Sequence, residues 1–187
     1  MRESLREKQI VIGVTGSIAA VETIRLVHAL RRKGACVTAV MSEAATRIVH
    51  PDALTFATGQ ETVVAITGRV EHVAFCGDGG AADLFLVAPC TANTLCKIAG
   101  GIDDTTVTTF ATTALGRGMP VLVVPAMHHS MFRHPGVRDC LARLESWGVE
   151  VVAPRIEEGK AKIADTEEIV LRCERALLEG RLAEGTS

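Results

Sequence analysis

The sequence contains no tyrosine, one tryptophan and five phenylalanines, so it offers few flat aromatic faces on which unpaired bases could stack. It has no excess of basic residues either. The formal charge is -2, which removes the broad positive field that nucleic acid or an anionic membrane surface requires. No apolar run approaches the ~20 residues of a membrane span, and the opening MRESLREKQ is charged where a secretory leader needs an apolar core. These absences predict a cytoplasmic protein with no nucleic acid and no membrane among its partners. The six cysteines, at positions 36, 76, 90, 96, 140 and 173, include no CxxC pair and lie mostly inside apolar segments. Free buried thiols are therefore expected, rather than disulfides or a zinc site.

What is present is apolar. A chain of 187 residues with 48% hydrophobic content suffices for one well-buried domain, expected over residues 7–180, with 181–187 a tail or the start of a linker. Gln9–Val14 (QIVIGV) is a β-branched run ending in a Thr15-Gly16-Ser17 turn, after which Ile18, Val21, Ile24, Val27 and Leu30 recur at helical spacing. Gly34 closes that helix. Cys36–Met41 reads as a second strand, and Ser42 can cap a helix from Glu43. The pattern repeats with a strand over 84–88 before a helix over Ala92–Ala99, then strands over 120–124 and 149–153, and a last amphipathic helix over 166–178. Continuous apolar strands separated by helices predict an α/β fold: a single Rossmann-like (flavodoxin-like) domain with a parallel sheet covered by helices on both faces.

In such a sheet, ligands bind beyond the carboxyl ends of the strands. Four stretches qualify: TGSIAA, SEAAT, APCTANT and PAMHHSM. Thr15-Gly16-Ser17 presents backbone N–H groups and hydroxyls at a helix start, which suits a phosphate and equally suits a plain cap. There is no GxGxxG and no GK[ST], so neither a dinucleotide fingerprint nor a triphosphate loop is present. Small polar residues from Cys90 to Thr94 would let a planar ligand approach the backbone, or would simply cap a helix. His72 is a solitary histidine, more often structural than catalytic, yet suited to acid–base work in a cleft. His128, His129 and His134 lack the i, i+4 spacing and accompanying ligands of a metal site, so no metal is expected.

Taken together, GVTGSIAA (13–20), EHVAF (71–75), APCTANTLCKIAGGIDD (88–104) and VPAMHHSMF (124–132) resemble the homo-oligomeric flavin-containing cysteine decarboxylases, in particular the phosphopantothenoylcysteine decarboxylases. The stretches SIAAVET, PAMH and EEGKAKIA (157–164) are most similar to the archaeal type, usually the N-terminal half of a two-domain chain. The resemblance implies FMN as cofactor and decarboxylation of 4'-phosphopantothenoylcysteine to 4'-phosphopantetheine in coenzyme A biosynthesis. By it, Gly16, Ser17, Ile18 and Ser42 would hold the phosphate and ribityl chain. Cys90, Thr91, Ala92, Asn93 and Thr94 would border the isoalloxazine, and Thr108 would add a further contact. His72 would be the acid–base residue. Asn93, Ala126, Met127, His128, Lys160 and Lys162 would meet the substrate, with His128 catalytic in the place of an asparagine that holds the substrate carboxylate.

The resemblance also implies a homo-oligomer, a trimer or a dodecamer of trimers with FMN at subunit boundaries, and a phosphopantothenate–cysteine ligase domain or partner. One departure stands out: the flap cysteine of many relatives has no counterpart in IEEGKAKIA. That keeps open an FMN-dependent oxidoreductase on the same fold; a second alternative that shares the scaffold is a prenyl-FMN-forming transferase, whose first loop and late serine and arginine pattern differ from GSIAAVET and PAMHHSM.

Overall fold

β-Branched and aromatic side chains fit a pleated surface better than the crowded turn of a helix, and the apolar runs QIVIGV, CVTAVM and LFLVAPC all extend as strands. The computed structural model describes residues 3–157 and 160–184, with the side chains of 156, 157, 160, 161 and 179–184 outside that description. In chain order the elements are β1 (Gln9–Val14), a 3-10 turn (Ile18–Glu22), α1 (Thr23–Arg32), β2 (Cys36–Met41), α2 (Glu43–Thr46), α3 (Pro51–Thr58) and α4 (Glu71–Cys76). Next come β3 (Leu84–Cys90), α5 (Ala92–Ala99), α6 (Thr106–Arg117), β4 (Val121–Pro125), β5 (Met127–His128), α7 (His129–Phe132) and α8 (Pro135–Ser146). The last are β6 (Glu150–Val151), β7 (Arg155–Glu157), β8 (Lys160–Lys162) and α9 (Thr166–Glu184).

The main sheet is parallel throughout, in the order β2-β1-β3-β4-β6. Alternate side chains feed two separate cores. Ile10, Ile12 and Val14 of β1, with Leu84 and Leu86 of β3, face α1, α3 and α9 through Leu26, Leu30, Leu54 and Ile169. Val11, Phe85 and Val87 face the other layer, where Leu95, Phe110, Leu141 and Leu144 belong to α5, α6 and α8. Phe85 and Phe110 are fully buried with ring centroids 6.2 Å apart, which centres this second core. The predicted α/β architecture with helices on both faces is thus the observed one.

Several boundaries differ from the sequence reading. The third strand continues through Pro89 to Cys90, with a register irregularity between Val87 and Cys90 that lets Cys90 pair with Pro125. The helix expected from Ile18 begins instead as a 3-10 turn, so Ile18 (77% exposed) and Val21 (50%) leave the buried stripe that Val27 and Leu30 keep. The last helix continues to Glu184 rather than ending at Leu178. The boundary expected at residue 181 falls within it, and 185–187 lie outside the described residues. Helices α3, α4, α6 and α8 and a small sheet β5-β8-β7 were not anticipated. Among the thiols, Cys76, Cys90 and Cys173 are buried and all six are free, but Cys36 is exposed because it opens β2 at the sheet edge.

Candidate active site at the strand ends

Four loops leave the carboxyl ends of the parallel strands, and hydrogen bonds stitch them together. Thr15, fully buried after β1, donates its hydroxyl to Pro89 O at 2.7 Å and accepts from Thr91 N at 3.0 Å. That fixes the first loop to the third. Ser42 N donates to Val14 O at 3.0 Å, and a Cβ built on Gly16 would stand only 2.6 Å from Ala44 Cβ. The first and second loops therefore close to a distance that only glycine allows. Ala126 N donates to Cys90 O at 3.0 Å, which joins the fourth loop to the third.

Three of these loops start helices in the same way. Ser17, Ser42 and Thr91 each cap with the side-chain oxygen, accepting from Ala19 N, Ala45 N and Thr94 N at 3.2–3.3 Å. Partial positive charge from several helix starts converges on one rim, the setting in which an anion binds. Ala92 and Thr94 are buried, whereas Asn93 is exposed. Cys90 points away from the rim into the second core, where burial raises its thiol pKa. Thr108 is fully buried in the capping box of α6, accepting from Asp104 N and Thr105 N.

A cleft of about 750 Å3 opens beside the first and fourth loops. It brings together six predicted residues: Ser17, Ile18, Ala126, Met127, His128 and Lys162. Lys160 pairs through its backbone with His128 and Glu157, and its side chain lies outside the described residues. Sequence reasoning missed Arg25 and Arg155, both on this cleft. Arg155 Nη1 stands 3.0 Å from Asp165 Oδ1, and its Nε donates to Ile163 O at 3.3 Å, so its guanidinium is held in a fixed plane. The only signal for it was its place at the head of the lysine-containing flap.

The three clustered histidines separate. His128 caps α7: its Nδ1 accepts from Ser130 N at 3.3 Å and lies 2.8 Å from Ser130 Oγ. With Nδ1 accepting, the neutral ring carries its proton on Nε2, a donor available to the cleft. His134 caps α8 by accepting from Gly136 N at 3.1 Å. His129 has a buried Nδ1 with no hydrogen-bond partner. Among the described residues, no three His, Cys, Asp or Glu side chains converge where a metal ion could sit.

His72 does not line this cleft. It sits on α4 with its ring centroid 6.4 Å from that of Phe110, and its buried Nδ1 also lacks a partner. The start of α4 is held by Glu71, whose carboxylate accepts from Thr67 Oγ1 and from Thr67 N at 2.8 Å. The Thr67 hydroxyl first, and its N–H second, lower the Glu71 pKa from the ordinary 4.5 to about 2.

Known proteins resemble the chain along most of its length. The chain is 53% identical over 179 residues to the coenzyme A biosynthesis bifunctional protein CoaBC of Thermococcus kodakarensis, covering 93% of this chain and 44% of that protein. It is 38% identical over 167 residues to the CoaBC of Methanocaldococcus jannaschii, covering 89% and 40%. The chain thus spans less than half the length of these relatives. Among solved structures it is similar to the FMN-dependent cysteine decarboxylase SpaF (26% identity, TM-score 0.82, 94% of this chain and 98% of that one). A PPC decarboxylase variant complexed with pantothenoylaminoethenethiol is also similar (25% identity, TM-score 0.74, 93% and 100%). The Flavoprotein family model matches residues 1–177, and the chain belongs to that family.

Proposed function

We propose that this chain is an FMN-dependent carboxy-lyase that decarboxylates 4'-phosphopantothenoylcysteine to 4'-phosphopantetheine in coenzyme A biosynthesis, acting in the cytoplasm. The observation that carries the reading is the stitched cradle of strand-end loops opening onto a cleft with His128 on its wall. Similarity to two CoaBC proteins and to a PPC decarboxylase structure supports it.

The residues present fit FMN. Gly16, Ser17, Ile18 and Ser42 offer N–H groups, hydroxyls and a side-chain-free approach for the phosphate and ribityl chain. Thr91, Ala92, Asn93 and Thr94 offer small side chains beside a ring, with the Cys90 backbone behind them, and Thr108 supports the neighbouring helix start. Bound there, FMN supplies the two-electron oxidation of the substrate thiol that makes its carboxylate a good leaving group, and the return of those electrons to the product.

The chain's own residues bind and orient. His128 donates from Nε2 to the carboxylate that will leave, while Ala126, Met127 and Asn93 shape the approach. Lys162 and Arg155 give the cleft cations for the substrate phosphate. His72 is the acid–base residue. Because His72 stands away from its own chain's cleft, it serves the cleft of a neighbouring subunit in a homo-oligomer, a trimer or a dodecamer of trimers. A phosphopantothenate–cysteine ligase domain or partner would supply the substrate, consistent with the bifunctional relatives.

The experiment is anaerobic incubation of the FMN-loaded protein with 4'-phosphopantothenoylcysteine, following carbon dioxide and the mass of the thiol product. Stoichiometric carbon dioxide that disappears in His72→Asn is expected. The absence of a cysteine from the segment 155–162 favours one second reading, an FMN oxidoreductase. That reading requires consumption of an electron donor with no carbon dioxide released.

A further inference from the structure

A pair of thiols outside the candidate active site is placed to react with each other. Cys96 lies on α5 and Cys140 on α8, both half-buried at the rim of the second core. These helices follow the neighbouring parallel strands β3 and β4, so they run the same way and pack side by side. Their register is fixed by Arg143 Nη1, which donates to Ala99 O at 3.2 Å. Stepping back three residues from that bond on each helix, about one turn, sets Cys96 opposite Cys140. The Cys140 thiol stands near enough to Cys96 to help hold its proton on.

We propose that Cys96 and Cys140 are a redox modification site, closing to an intramolecular disulfide that ties α5 to α8 when a low-molecular-weight disulfide is the oxidant. In the first exchange, the thiolate of one cysteine attacks a sulfur of the small disulfide and releases one small thiol. The second cysteine's thiolate then attacks the protein sulfur of the mixed disulfide and releases the other. Each cysteine loses a proton and the pair loses two electrons, which reduce one small disulfide to two thiols. The bond would join the helices that begin at the third and follow the fourth strand-end loops, closing a long stretch of chain.

Two features select this pair. Cys90, Cys76 and Cys173 are buried, beyond reach of a small disulfide. Cys36 is exposed at the edge strand with none of the other thiols opposite it. Burial, and then the Cys140 thiol, push the Cys96 thiol up to about 11, so thiolate is scarce near neutrality and exchange is slow in both directions. Once closed, the bond therefore persists until a strong dithiol reopens it.

The test uses the chain carrying Cys36→Ser, which removes the exposed thiol, treated with excess oxidised glutathione and digested under non-reducing conditions. Mass mapping is expected to find the Cys96 peptide linked to the Cys140 peptide, with a melting temperature raised on the order of 10 °C and restored by dithiothreitol. Cys96→Ala and Cys140→Ala, each in that background, are expected to abolish the oxidant-dependent shift whatever they do to the absolute melting point. A stable glutathione adduct on either cysteine without the cross-link overturns the proposal. So does a Cys90–Cys96 link, or no loss of thiol at all.

Discussion

One nitrogen of His128 is committed to the backbone of α7 and the other faces the cleft, so a single substitution separates two effects. His128→Ala removes a cap, costing about 1 kcal/mol of stability. It also removes the proposed carboxylate donor and should raise KM about tenfold while the bound-flavin absorbance persists. His128→Asn keeps both a capping acceptor and a donor and should recover most of the loss; unchanged kinetics in His128→Ala would refute the assignment. Gly16 is tested by Gly16→Ala. The added carbon would stand 2.6 Å from Ala44 Cβ, so the first two loops must part. FMN affinity should fall at least tenfold, read by flavin fluorescence on release, with the far-ultraviolet spectrum unchanged. At this scale the sequence was informative where chemistry is local: Ser17, Ser42 and Thr91 are caps as their positions imply. It was silent on Arg155, because nothing in its neighbours announces that Asp165 and Ile163 will hold its guanidinium over the cleft.

Elements were legible in proportion to how local their causes are. The strands β1, β2 and β3 declare themselves through unbroken apolar runs, since a parallel strand is buried on both faces. Helix α6, TVTTFATTALGR, carries β-branched residues through its first turns, which lowers helix propensity, and it forms through the Thr105–Thr108 capping box and burial of Phe110. The strands β5, β7 and β8 are two or three residues long and exist because Met127 meets Ala161 across the fold. No local pattern encodes such a pairing. Helix α4 has only six residues, and its start depends on the Thr67–Glu71 contact, which makes a pH prediction possible. The folded Glu71 pKa lies below its ordinary value, at about 2 against 4.5, so its stabilising contribution is complete above about 4.5. It is lost as pH falls from there toward 2. The gap in melting temperature between the wild type and Glu71→Gln should stay constant from pH 8 to 5 and then close toward pH 2. A gap independent of pH would show that the carboxylate charge contributes nothing to the loop.

For the whole molecule, the decisive relation is between His72 and the cleft. A single chain places His72 beside Phe110 and away from the cleft that holds His128. On the same short helix, Val70 and Val73 are 44% and 46% exposed, an apolar surface flanking an unpartnered imidazole nitrogen. Exposed valines at this place are covered if a second copy packs there, and that copy's cleft then receives His72. If so, the two histidines of one reacting centre come from different subunits, and the defects of His72→Asn and His128→Ala must complement each other. Co-expressed with different tags and purified through both, the mixed oligomer should regain activity although each variant alone has little. A centre is intact when the cleft comes from a His72→Asn subunit and the histidine from a His128→Ala neighbour. In a mixed trimer of either composition one centre in three is of that kind, so about a third of wild-type activity is the recovery expected. A mixed oligomer no more active than its parents would place both histidines in one chain's centre and overturn the shared site.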